Sequence, residues 1–303
     1  MLAAFLTTIL FAISGVCGHR SARLIGGTEA NFWRLACAAL MLGAWSMSFG
    51  TGLEGAALPW FLLSGLTGVG LGDLAMFQAL PRLGSRLSLL LIECLGPPVA
   101  AIFEWLWMGT KLTPWQATCG LVIFVGVGIA LRPARDEPRR PGWVVGSLFG
   151  VLSAIATAVG AVVSRKAFAV AEAAGHPPGG VDAAFQRVLA GLLLAGFGLL
   201  AVKAHPRRSS PGAPRAGDAA AKWRAVGPWI FMNSLAGQTL GVSCMQWALR
   251  STPTGVVLSI IATTPVLVIP LAVVFEKERP TAASYVGGLI AVLGVAGLCL
   301  GHT

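Results

Sequence analysis

The sequence predicts an all-α polytopic membrane protein, with ten transmembrane helices arranged as two inverted five-helix repeats. Three observations carry this. Apolar residues gather into ten runs, covering roughly residues 2–17, 32–49, 56–80, 87–107, 114–132, 142–164, 182–202, 225–249, 253–275 and 281–300. Motifs of the first half recur in order in the second half. Polar residues are too few to cover a globule: 55% of the chain is hydrophobic and 11% charged, against about 25% charged in soluble domains. A bilayer core offers no hydrogen bonds to a backbone, so runs of this length are helices.

The first run opens Met1-Leu2-Ala3-Ala4-Phe5 with no basic residue before it, and Val16 is too large for a cleavage site before Cys17. It is read as a retained helix rather than a signal peptide. The second run begins Phe32-Trp33-Arg34-Leu35 and is matched by Phe185-Gln186-Arg187-Val188 at the seventh. Arg34 and Arg187 each fall early in a span. Such arginines snorkel to the interface, or act as a gate or as an anchor for a substrate carboxylate.

The third run carries Gly68-xxx-Gly72, which lets helix backbones approach closely, and then Asp73 and Gln78. The fourth carries Glu93 and the pair Pro97-Pro98. Counted from the turn near Gly84, Asp73 and Glu93 sit roughly 16 Å and 13 Å deep, on neighbouring helices. A carboxylate there is costly, so each is expected to be protonated, partnered or facing water. The functional reading is a proton-linked or cation-binding site; the structural reading is a neutral acid bonded to backbone, Ser64 or Ser88.

The fifth run holds Gly120-Leu121-Val122 and Gly126-Val127. A basic, Pro-containing linker over 133–141 then divides a first repeat, 1–132, from a second, 142–303. The sixth run opens Gly142-xxx-Gly146-xxx-Gly150. After the seventh comes a flexible loop, 203–224, rich in Pro, Ser, Gly and base. The eighth run repeats the third at an offset of 169: Leu71-Gly72, Met76 and Ala79-Leu80 answer Leu240-Gly241, Met245 and Ala248-Leu249. It supplies the amides Asn233 and Gln238, with Trp247 as a cavity candidate. Pro265 in the ninth run answers Pro97, and Gly288 and Gly294 in the tenth answer Gly120 and Gly126, all at 168. Prolines 97 and 265 interrupt helical hydrogen bonding, and gates and cavity walls are expected there. A unit of five spans re-enters from the opposite face, so the repeats are inverted, with a substrate site near the midplane between them.

On these motifs the chain resembles the EamA-type transporters of the drug/metabolite transporter superfamily: Phe-x-Arg at the second and seventh spans, proline in the fourth and ninth, and Phe275-Glu276-Lys277-Glu278-Arg279 before a Gly-rich last helix. The first copy departs at Trp107-Met108-Gly109-Thr110-Lys111, where Met108 stands at the place of Glu276. The resemblance implies ten helices and export or exchange of small metabolites.

Net charge is +10, but the basic residues lie between apolar runs and read as topology signals facing anionic lipid rather than as a nucleic-acid surface. Loops after odd-numbered spans carry sixteen Lys and Arg, and loops after even-numbered spans four. This count puts the termini outside, while the resemblance implies cytoplasmic termini. The six cysteines form no CxxC pair and the four histidines fall in loops or at the terminus, so no metal and no cofactor is expected. The expected setting is a multi-pass protein of a bacterial inner (plasma) membrane, with a small-molecule substrate, lipid contact and a homodimer as the oligomer to test. The leading function is a secondary transporter working by alternating access, an exporter or exchanger coupled to protons. The alternatives are a lipid-modifying membrane enzyme, which lacks a nucleophile elbow or HExxH here, and a non-transporting scaffold, which would not need midplane acids.

Overall fold

A computed structural model describes residues 2–108, 113–130, 142–204, 216–252, 254–277 and 281–300. These form helices and, among the described residues, no strand. In chain order they are α1 (Leu2–Ile25), α2 (Gly27–Phe49), α3 (Leu58–Leu83), α4 (Ser85–Met108), α5 (Pro114–Ala130), α6 (Trp143–Ala173), α7 (Gly180–Ala204), α8 (216–251), α9 (Thr254–Glu276) and α10 (Ala282–Leu300). Seven of them are long and apolar enough to cross a membrane: α1, α2, α3, α4, α6, α7 and α9. Ala117–Ala130 and Ala282–Gly297 are shorter apolar helices. The linker over 133–141 and residues 205–215 of the expected loop over 203–224 lie outside the described residues, as do Gly109-Thr110-Lys111 and Glu278-Arg279, whereas 203–204 and 216–224 are helical rather than loop.

The ends depart from the hydropathy pattern where polar residues are buried. α1 continues past Cys17 to Ile25, so His19, Arg20 and Arg23 are helical and His19 is not a loop residue. The stop is Gly26, whose φ of 90° is open to glycine at little cost. α3 and α8 each contain a π-helical stretch, Gly65–Leu71 and Ser234–Gly241. The added residue per turn re-aims the side chains that follow it. Asp73 lies two residues past the end of the first stretch, and Gln238 lies within the second.

The two prolines expected to kink repeat-related helices sit in different surroundings. α4 is assigned as one helix through Pro97 and Pro98. α9 breaks: its α-helix ends at Ile261 and restarts at Thr264, with Pro265 in the first turn, where its missing N–H costs nothing.

Helices of the first 130 residues pack chiefly on helices of the second half: α2 on α7, α3 on α6 and α7, α1 on α8 and α9, α4 on α6 and α9, and α5 on α10. Small residues make the approach close. A Cβ at Gly126 would stand 2.4 Å from the Ala291 nitrogen, and one at Gly287 would stand 2.3 Å from the Ala130 nitrogen, so α5 and α10 touch backbone to backbone.

Candidate functional site

Helices α1, α2, α3, α4, α6, α7 and α8 enclose a narrow cavity of about 70 Å³. Apolar side chains, among them Phe11, Val69, Met76, Leu89 and Ile92, make most of its wall. Four charged residues enter it: Arg34, Asp73, Glu93 and Arg187. Gln238, Thr157 and Ser14 complete the polar lining.

Arg34 and Asp73 form an ion pair, Nη2 to Oδ2 at 2.5 Å, with side chains 2% and 13% exposed. The same Asp73 oxygen accepts a hydrogen bond from Gln238 Nε2 at 2.8 Å. Arg34 also donates to Asn31 Oδ1 at 3.0 Å, and its guanidinium lies 4.7 Å from the Phe77 ring centre. The Arg34 carbonyl accepts from Ser234 Oγ at 2.7 Å, tying α2 to the π-helical stretch of α8. The snorkelling reading of Arg34 and Arg187 does not hold, since both are fully enclosed. Neither does the reading of Asp73 as a neutral acid bonded to a serine. Ser64 instead donates to the Gly160 carbonyl at 2.6 Å and lies 2.7 Å from Ser164 Oγ.

Arg187 occupies the mirrored situation with a different outcome. Its backbone crosses the π-helical stretch of α3 so closely that a Cβ at Gly65 would lie 2.1 Å from the Arg187 carbonyl oxygen. Asp73 attracts its charge. Among the described residues, however, no hydrogen bond or ion pair is made by its guanidinium, and Nε and Nη1 are buried without a partner. Glu93 is half-buried in the same lining. Its carboxylate makes no hydrogen bond or ion pair to a described residue.

The other candidates lie outside the cavity. Gln78 donates to Thr28 Oγ1 at 3.1 Å and accepts from Arg82 at 3.1 Å, near the end of α3. Asn233 is buried behind the wall and accepts from Ser14 Oγ at 2.6 Å. Trp247 is 67% exposed, on the outer surface of α8 beside Gly180. Pro97 and Pro265 are also absent from the lining.

Each end of the bundle carries a clasp of polar contacts that hydropathy does not reveal. At the face where α1, α3 and α9 end, His19 Nδ1 meets Glu276 Oε2 at 2.8 Å, both side chains being buried. The Ser85 N–H points to the same oxygen at 3.3 Å, and Arg20 donates to the Phe275 carbonyl. At the opposite face Asp182 Oδ1 accepts from Ser46 Oγ at 2.5 Å and from the Thr51 N–H at 3.2 Å. Nearby, Gln186 donates to the Gly52 carbonyl at 3.0 Å and Arg165 to the Thr252 carbonyl. Glu276 could have been found in the sequence as the acid of its turn motif; its partner His19 carried no local signal.

The sequence model of the EamA-like transporter family matches residues 1–132 and 144–300. No curated protein matches the chain. One solved structure, titled only as the crystal structure of a protein, superposes with a TM-score of 0.65 at 18% identity, covering 99% of this chain and 96% of that one. At that identity the likeness speaks for the fold alone. The family match covers nearly the whole length: the chain belongs to the EamA-like transporter family of the drug/metabolite transporter superfamily, and is an integral multi-pass membrane protein.

Proposed function

We propose that the protein is a secondary transporter of small metabolites, an exporter or exchanger that works by alternating access in a bacterial plasma membrane. Ten spanning helices would form two inverted repeats, residues 1–132 and 142–303, joined by the linker over 133–141. The observation that carries this reading is the cavity itself. It draws charged side chains from both halves, and a polar clasp closes the bundle beyond it at each face. Opening one clasp at a time would expose the cavity to one side at a time.

Several relations support the repeat. The π-helical stretches begin at Gly65 and Ser234, 169 positions apart, the same offset as the motif match. Arg34 and Arg187 each lie seven residues into their helix and each cross the π-helical stretch of the other half. Contacts between the halves also come in exchange pairs: α1 with α8 is answered by α3 with α6, and α1 with α9 by α4 with α6.

Glu93 is the residue proposed to carry a proton. It lies in the cavity lining without an ion-pair partner among the described residues, so it can change charge without breaking a structural contact. A proton released as solute binds would couple transport to the proton gradient. The test is reconstitution in proteoliposomes with a panel of labelled metabolites and an imposed pH gradient. Saturable solute movement that responds to the gradient supports the reading; no saturable movement of any solute would overturn it.

A further inference from the structure

We infer that Arg187, and not Arg34, is the anchor for the solute, and that the solute is a small molecule bearing a carboxylate. This rests on the transporter reading above. The two arginines are equivalent by sequence but not by surroundings. Arg34 is paired: Asp73 and Asn31 accept from its Nη2 and the Phe77 ring faces its guanidinium, although its Nε is buried without an acceptor. Arg187 is just as buried, at 2% exposure, and lines the same cavity, yet Nε and Nη1 have no acceptor.

The surrounding charges do not supply one. Asp73 attracts Arg187, but its Oδ2 is already engaged by Arg34 and Gln238. Arg34, Asp73 and Arg187 together carry one net positive charge, and Glu93, the fourth charged residue of the lining, makes no ion pair with Arg187. A buried cation without a partner is strongly unfavourable, and a guanidinium is suited to the planar, two-oxygen acceptor of a carboxylate. The cavity also makes room for this contact. Gly68 faces the guanidinium, and a Cβ there would stand 2.9 Å from Arg187 Nη2. A water needs roughly 10–15 Å³ of such space, so the 70 Å³ cavity holds about five water-sized groups and suits a solute of about five or six heavy atoms.

The experiment measures binding to the full-length protein in detergent by calorimetry, with four probes of nearly one size: propionate, L-alanine, L-alaninamide and propionamide. Propionate and L-alanine are expected to bind, and the two amides are not. Inorganic phosphate at the same concentration is expected to leave the signal unmoved. Arg187→Gln should weaken carboxylate binding about tenfold or more, the value of a charge-assisted contact. Gly68→Ala keeps every charge and should weaken it several-fold by crowding the guanidinium, which preserves the test if Arg187→Gln does not fold. The inference is overturned if either amide binds as well as its acid, if phosphate binds as tightly as propionate, if no carboxylate binds, or if Gly68→Ala and the folded Arg187→Gln both bind like the parent. Saturable transport of other solutes in proteoliposomes would leave the transporter reading standing in each of those cases.

Discussion

Arg34 and Asp73, 39 positions apart in the chain, meet at 2.5 Å inside the bundle, and Gln238 from the other half closes on the same carboxylate oxygen. Removing one member of such a pair leaves the other charge buried alone, at a cost of about 3–5 kcal/mol. Arg34→Gln and Asp73→Asn are each expected to lower the thermal stability of the purified protein sharply. The double variant should recover at least about 1 kcal/mol relative to the sum of the two. Strict additivity would mean that the contact contributes nothing.

Glu93→Gln keeps shape and hydrogen bonding and removes titration. It should express and fold like the parent, and its transport should lose its dependence on pH between about pH 5 and 8. Solute exchange can survive, because exchange need not move a net proton. Asp73→Asn should also blunt the pH dependence, but with the loss of stability above. If Glu93→Gln responds to pH as the parent does, proton coupling through this residue fails.

The clasp between His19 and Glu276 is expected to hold its face shut. In a background free of the six native cysteines, Ser14→Cys places a thiol in the cavity wall. Adding Glu276→Gln should raise its labelling by a charged, membrane-impermeant reagent several-fold from the side of the clasp only. Unchanged labelling would remove the clasp from the gating scheme.

Orientation follows from charge. With sixteen Lys and Arg in odd loops and four in even ones, the odd loops, and the His19–Glu276 face with them, are expected in the cytoplasm. A C-terminal reporter active only in the cytoplasm should then be silent. Activity would place the termini inside, as the family resemblance implies.

The α5–α10 contact offers a stability test away from the cavity. Gly126→Leu pushes a side chain into the Ala291 backbone, 2.4 Å from where its Cβ would lie, and should destabilise by about 1–3 kcal/mol. Solute affinity in the surviving protein should be unchanged. A parental melting temperature would show that the two helices separate at no cost.

Much of the fold was legible because lipid makes hydropathy a direct report of helix position. Acids inside apolar runs pointed to Asp73 and Glu93, and the repeat match pointed to Arg34 and Arg187. What could not be read was facing. Trp247 lies five residues beyond Val242 in the lining, and Gln78 five beyond Asp73, each about 140° round the helix at roughly 100° per residue. Helix membership alone marks both as cavity residues, and the structure faces both elsewhere. His19 reads as a loop residue in sequence because a buried polar residue resembles the end of an apolar run. Its partner lies more than 250 positions away, and no local pattern encodes that distance.

The two clasps differ in kind. One is a histidine against a glutamate, and the other is an aspartate held by a hydroxyl and a backbone amide. The halves of the molecule echo each other in their helices but not in how they lock. A transport cycle built on them would cross two barriers of different chemical make-up, one holding two side chains together and the other holding a side chain to a hydroxyl and the backbone. Apparent affinity and turnover measured from one side of the membrane would then differ from those measured from the other. The asymmetry of its kinetics would then lie in its latches rather than in its solute site, while the gradients would set the net direction.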